Sequence, residues 1–157
     1  MIRNQLDILE QVLTKVERLI PHRALKNPSI SKAHIGWQLD HALKVFNAVS
    51  QWTIHSKPDD YEWTFNLWRS ILLPLCYLPR GKAQAPKKVL PPDIILVDDL
   101  MSQLKLAQKH IKRLKVLPKT SYFDHHVFGK LNKRQTLRFL ETHTRHHLKI
   151  ANEILKA

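Results

Sequence analysis

Glycine is scarce: three in 157 residues, at Gly36, Gly81 and Gly129. That is too few for a turn-rich sandwich or barrel, and no Gly-rich, phosphate-cradling loop can be assembled from positions so far apart. The single cysteine, Cys76, excludes an intrachain disulfide and a cysteine-based zinc cluster, and it fits a reducing, cytoplasmic setting. No apolar run reaches the length of a membrane span, and Met1 to Asp7 alternates polar and apolar residues instead of presenting the apolar stretch of a secretion signal. The expectation is a cytoplasmic protein with no membrane partner. Acidic residues are short as well, 13 against 26 Lys and Arg, for a formal charge of +13. Histidine, in contrast, is abundant: ten residues of the side chain most often recruited as a metal ligand or proton carrier near neutral pH.

The apolar fraction of 43 % is enough for one core, so residues 1–157 are expected to form a single domain. Ile2, Leu6, Leu9, Leu13, Val16 and Ile20 alternate spacings of three and four residues, the stripe of an amphipathic first helix ending near Pro21. After the turn and cap chemistry of Pro28-Ser29-Ile30-Ser31, a second helix runs from about Ala33 to His55, apolar around much of its circumference and hence central. Phe65 to Leu75 suggests a shorter third helix. From Pro79 to Pro92 the Pro, Lys, Gly and Ala composition has no period and reads as a long crossover loop over the surface. Asp93 is placed to cap a fourth helix running to Pro118, and Asn132 to cap a fifth running to Lys156. No strand pattern competes. The fold class is all-α: a four-helix bundle with an additional short helix and a long crossover loop.

Charge is uneven, with a net +3 from Met1 to Leu100 and +10 from Met101 to Ala157. Either the second half carries a surface for polyanions or a funnel for an anionic small molecule, or Lys105, Lys109, Lys112 and Lys115 are the solvated face of helix four.

His143-Thr144-Arg145-His146-His147 places histidines at i, i+3 and i+4, and the i,i+4 pair His143 and His147 projects side by side. At about 100° per residue, Leu140, Thr144, His147, Ala151 and Ile154 form the inward stripe, with His143 on its edge and His146 turned away. Two imidazoles in an apolar seam need partners for their nitrogens; a divalent cation satisfies both, and so do neighbouring hydrogen-bonding groups. A third ligand must come from elsewhere. His41 is the best placed, in the central helix, whereas His34, His55 and His110 lie nearer helix ends and His22 follows Pro21. Glu141 and Asp124 are candidates for orienting the rings; Asp40, adjacent to His41, points elsewhere.

Trp37-Gln38-Leu39-Asp40-His41 on helix two, followed by His143-x-x-His146-His147 on the last helix, resembles the DinB/YfiT-like superfamily of small metal-binding bundles. The segment His125-His126-Val127-Phe128-Gly129 is similar to the His-Pro-x-Phe-Gly entry to the last helix in one subgroup of unknown function. The resemblance spans most of the chain from Ile35 onward. It implies metal ligands at His41, His143 and His147, an ion such as zinc or nickel, with iron or manganese as alternatives, and thiol S-transferase, isomerase or hydrolase chemistry. Two positions depart from the pattern: Leu148-Lys149-Ile150 replaces the usual His-x-Gly-Gln continuation, and His126 stands in place of proline. Both alter the pocket wall and leave the ligands in place.

On this reading a bound thiol or water loses its proton more readily beside a +2 ion held by neutral histidines. An anionic small-molecule thiol would be drawn by the basic half, with His125, His126 and Arg145 as candidate wall residues and Glu141 as a proton relay for a hydrolase. The competing class is a non-catalytic basic module for nucleic acid or an acidic partner. A homodimer through an apolar helix face is compatible with either. Cys76, in an apolar run without a basic neighbour in sequence, is expected to be a buried, inert thiol. Trp52, Trp63 and Trp68 are expected in the core, and Trp37, one turn from His41, beside the site.

Overall fold

A computed structural model describes residues 4–81 and 85–157. Ile2, the first position of the stripe on helix one, lies outside the described residues. The protein is mostly helical: α1 (Gln5–Leu19), α2 (Ile35–His55), α3 (Leu67–Leu72), α4 (Val97–Lys115) and α5 (Lys133–Lys156), with a small sheet of β1 (Tyr122–His125) and β2 (Gly129–Asn132). Among the described residues no helix is long and apolar enough to cross a membrane.

The stripe of α1 is buried as its spacing predicts, through Leu9, Val12, Leu13, Val16 and Leu19, and a 3-10 turn containing Pro21 ends the helix. The α2 N-terminus is capped by His34, whose Nδ1 accepts the Trp37 N–H, and not by a serine. Gly36 allows this first turn to approach the preceding loop, because a Cβ there would meet the Arg23 carbonyl at 3.0 Å. The α5 start follows its sequence signal: the Asn132 side chain accepts from Gln135 N–H and the Gln135 side chain accepts from Asn132 N–H, a capping box. Asp93 does not cap α4. That helix starts after Leu96 without a side-chain cap, and Asp98 and Asp99 in its first turn place negative charge against the helix dipole instead.

Helix α2 packs against α4 on one side and α5 on the other, and α1 packs against the same two helices. Gln5 at the start of α1 donates to Glu141 and Lys15 lies beside Asn152, so α1 and α5 run the same way. Gln38 meets His147 while Ser56, just past α2, meets Tyr122, so α2 runs opposite to α5. The buried apolar side chains of all four long helices form one cluster.

Three further expectations are corrected. Residues 122–132 form an antiparallel hairpin pairing Phe123 with Leu131 and His125 with Gly129, where no strand was expected. Each strand is four residues long, too short for alternation to show. The connection closes because Gly129 adopts φ 67°, the left-handed conformation that short hairpin loops need. The tryptophans Trp52, Trp63 and Trp68 are exposed, not core. In α3 the cause is visible: Leu72 and Leu73 at its end pack on the core, but one turn earlier the inward residue is Arg69, whose guanidinium donates to the carbonyls of Phe128, Lys130 and Thr64 and so ties the helix to the hairpin, leaving Leu67, Trp68 and Ile71 outside. The crossover, finally, is not featureless. A 3-10 turn at Lys87–Val89 buries Val89 and touches α2.

Candidate metal centre

Two turns of α5 and the first third of α2 face each other across a seam. At about 100° per residue, Gln38 and His41 share one side of α2, and His143 and His147 one side of α5. Packing of the two helices brings the three histidines together: ring centroids are 5.3 Å apart for His41 and His143, 4.7 Å for His41 and His147, and 4.7 Å for His143 and His147. One ligating nitrogen from each lies within 4.8 Å of the others. Nitrogens sharing one tetrahedral zinc at ~2.05 Å stand about 3.3 Å apart, so closing on an ion requires ring shifts on the order of 1 Å.

The outer nitrogens set the tautomers. His41 Nδ1–H donates to the Val89 carbonyl at 2.8 Å, and His147 Nδ1–H donates to Gln38 Oε1 at 2.7 Å. Gln38 is itself oriented, since its Nε2 donates to Ser31 Oγ. Both rings therefore keep Nε2 unprotonated, the state a metal requires. His143 is different: its Nδ1 is buried with no hydrogen-bond partner among the described residues. A ring that contacts both prepared ligands and keeps a buried nitrogen unpaired fits a cation site, because a polar atom without a partner otherwise costs free energy on burial.

Electrostatics point the same way. Burial holds the pKa of His41 below its ordinary value despite the Val89 carbonyl and the Asp40 charge, which act in the opposite direction. Burial, then the neighbouring histidines, depresses His143 and His147 strongly. All three are neutral at physiological pH, with lone pairs available. Trp37 stacks on His41 at 5.1 Å and covers that face from solvent.

His146 is turned away from the triad, as its position on the helix predicts. It meets His147 edge-on and lines a separate cleft of about 590 Å³ with Cys76, Tyr77, Arg80, Arg145 and Lys149. Cys76 is accordingly half-buried, accepts a hydrogen bond from Thr142 Oγ1 at 3.3 Å, and has basic neighbours supplied by α5, which its own sequence context does not reveal. Neither predicted orienting carboxylate reaches the rings. Asp124 is exposed, and Glu141 is occupied by Gln5 and Arg138 on Oε2 and Arg145 on Oε1. Burial alone would raise the Glu141 pKa, but the hydrogen bonds from these three residues outweigh it and hold the carboxylate ionised.

Other histidines have structural roles. His110 is buried and donates from Nδ1 to Asn47 Oδ1, and His55 bonds the Gln51 carbonyl. His125 Nδ1 accepts from Val127 and Phe128 N–H, organising the hairpin turn, and burial lowers its pKa to about 4, which preserves that acceptor. Its ring reaches the triad at one remove, through Phe139, which contacts His143. Sequence reasoning missed Gln38 and Val89. Gln38 is three residues before His41 and so shares its face, a usable signal; a backbone carbonyl carries none.

Comparison of the chain with protein-family models, with curated proteins and with solved structures gives no match.

Proposed function

We propose that the chain is a divalent-metal protein of the DinB/YfiT-like type, a four-helix bundle in which His41, His143 and His147 hold one ion between α2 and α5. The observation that carries this reading is the convergence of three neutral imidazoles, His41 and His147 buried with their tautomers set from behind and His143 half-buried with an orphaned nitrogen. Zinc or nickel suits an all-imidazole donor set; iron or manganese is the alternative. When bound, such an ion keeps its full charge and promotes deprotonation of a thiol or water, which is the basis for S-transfer or hydrolysis.

The chain's own residues supply the rest. Val89 and Gln38 hold the rings, Trp37 shields His41 from water, and the cations of the adjacent cleft draw an anionic thiol toward the seam. A reducing cytoplasm suits both a thiol co-substrate and a free Cys76. A second reading, a basic binding module for nucleic acid or an acidic partner, is favoured by the row of exposed lysines Lys105, Lys109, Lys112 and Lys115 on α4.

Elemental analysis of untagged protein tests the first reading: about one divalent ion per chain is expected. His143→Ala abolishes it and His146→Ala retains it; equal loss in both would overturn the assignment. Thiol consumption that stops with chelator supports the enzyme. Steeply salt-dependent polynucleotide binding that is untouched by His143→Ala supports the module.

A further inference from the structure

The outer side of α3 is apolar, and the fold holds it toward solvent. Arg69, 3 % exposed, points inward to the hairpin carbonyls, and Leu72 and Leu73 one turn later pack on the core. Leu67, Trp68 and Ile71 are left outside. Trp63 and Phe65 before the helix, and Leu75 and Tyr77 beyond it, enlarge that surface. These seven side chains are between 43 % and 69 % exposed. Asn66 caps α3 and donates to the Val127 carbonyl, while Arg138 donates to the carbonyls of Leu73 and Pro74, so hydrogen bonds fix the segment at both ends.

At roughly 150–250 Å² for each fully exposed aromatic side chain and somewhat less for each aliphatic one, the patch presents on the order of 700 Å². The largest apolar patch on a monomer is about 300–600 Å². Its composition is that of an interfacial anchor. Trp63, Trp68 and Tyr77 join an apolar ring to a polar N–H or O–H, the combination that settles at headgroup level, and Leu67, Ile71 and Leu75 gain by entering acyl chains. Stacked nucleic-acid bases would use the rings and leave the aliphatic side chains without a partner. Charge is graded along the face. At the Leu75 end lie Arg80, Arg138, Arg145 and Lys149 against only Glu141 and Glu153, four cations to two carboxylates. Lys149 is exposed, and Arg80 and Arg145 each use one guanidinium nitrogen in an ion pair, leaving further N–H groups for a lipid phosphate. At the Trp63 end Asp59, Asp60 and Glu62 stand against Lys57 and Lys130. A nucleic-acid strand lying along the whole face would meet those three carboxylates, whereas a bilayer entered with the Leu75 end leading meets the cations first. A second copy sets +13 against +13, and the same charge draws the chain to an anionic surface.

We propose that the outer face of α3 and its flanks docks the protein peripherally on an anionic phospholipid bilayer, its aromatic rings and aliphatic side chains in the headgroup and upper acyl region, with Arg80, Arg145 and Lys149 on lipid phosphates at the Leu75 end. The absence of a spanning run, the basis for expecting no membrane partner, does not bear on a surface that lies on a bilayer instead of crossing it. The metal centre on the α2/α5 seam takes no part in the docking, so metal content and lipid binding stand or fall separately.

Co-sedimentation of the full chain with phosphatidylcholine vesicles containing about one-third phosphatidylserine tests this, against vesicles of phosphatidylcholine alone. The anionic vesicles retain the wild-type chain, the neutral ones hold it more weakly, and added salt narrows the difference. Trp68→Gln and Leu75→Gln each weaken partition about tenfold, and Lys149→Ala weakens it about fivefold on the anionic vesicles alone. Ile94→Gln, at an exposed apolar position before α4, leaves it unchanged. Metal content and helical circular dichroism of the variants report that the fold is intact. Should a variant fail to fold, bromine-labelled acyl chains give a second reading on the wild type, by quenching its tryptophan emission. A wild-type chain that stays in the supernatant with anionic vesicles at low salt overturns the proposal. So does partition indifferent to Trp68→Gln and Leu75→Gln, or a chain that vesicles do not bind and in which Trp68→Gln instead dissolves a dimer or releases a single-stranded oligonucleotide.

Discussion

Helix α2 buries polar groups on two seams, and it treats them oppositely. Toward α4, Asp40 pairs with Lys44 and accepts from Gln103 Nε2, while Asn47 accepts from His110 and donates to the Gln103 carbonyl. Donors and acceptors there face one another, and both ring and amide of the His110–Asn47 pair are engaged, although Gln103 Oε1 has no hydrogen-bond partner among the described residues. Toward α5, the hydrogen bonds of His41 and His147 point away from the centre, to Val89 and Gln38, and one nitrogen of each of the three rings lies within 4.8 Å of the others. Both seams bury histidine at little exposure. What separates structure from site is whether the buried histidine is bonded to a side chain of the facing helices, as His110 is, or gathered with others that offer free ring nitrogens to something that binds.

The largest expected effect breaks that contrast. His147→Ala should take bound metal from about one per chain to almost none. His110→Ala, an equally buried histidine on the other seam, should leave metal content intact while lowering stability. Thermal melts give the same comparison from the ligand side. An ion at a hundred times its Kd stabilises the folded state by about 2.7 kcal/mol, a Tm rise of roughly 5–10 °C for a chain of this size. The rise should vanish in His147→Ala and persist in His110→Ala.

A smaller effect sharpens it. Gln38→Ala removes no ligand, only the acceptor that holds the His147 tautomer, so chelator competition should show affinity weakened about 10- to 100-fold with stoichiometry preserved. On the α4 side, Asn47→Ala orphans His110 Nδ1 and removes the second hydrogen bond on the Gln103 carbonyl, which keeps its place in the α4 ladder. Urea unfolding of the metal-free chain should register a loss of about 1–3 kcal/mol, with metal affinity unchanged. If Asn47→Ala altered affinity as much as Gln38→Ala, the two seams would be one coupled network.

The legible parts of this molecule were those written in local spacing. The α1 stripe, the Asn132 cap and the His143/His147 pair all follow from residues within two turns of one another, and helical geometry converts such spacing directly into a face. His41 was legible because an apolar helix of high burial had to be central. The hairpin was not, since four-residue strands show too little alternation, and its turn depends on a histidine accepting two backbone N–H groups. Nor was the facing of α3: apolar residues at helical spacing suggest burial, which holds for Leu72 and Leu73, and only the long-range hold of Arg69 on the hairpin carbonyls shows why Leu67, Trp68 and Ile71 stay outside. The Val89 carbonyl behind His41 lies beyond any sequence signal, because every residue has one. The carboxylates proposed for that role were better candidates chemically, yet Glu141 was committed to arginines of its own helix.

The smallest expected effect lies outside both seams, at His125, where Nδ1 accepts hydrogen bonds instead of donating. Acceptance requires the neutral ring, and burial lowers its pKa to about 4 from the ordinary 6.5. Above pH 6.5 neither the folded nor the unfolded chain protonates this residue, and its contribution to stability is present in full. As pH falls from 6.5 toward 4 the unfolded chain takes up a proton that the folded chain refuses, so stability declines; below about 4 both are protonated and the decline ends. One proton sets a ceiling of about 1.4 kcal/mol per pH unit, and partial exposure keeps the effect beneath it. His125→Asn retains an acceptor for the Val127 and Phe128 N–H groups without titrating. Urea midpoints measured between pH 6.5 and 4 should therefore fall less steeply in His125→Asn than in wild type, with the two chains alike at neutral pH. Parallel slopes would mean that the hairpin histidine is protonated in the folded protein, and that its turn is held by something other than a neutral imidazole.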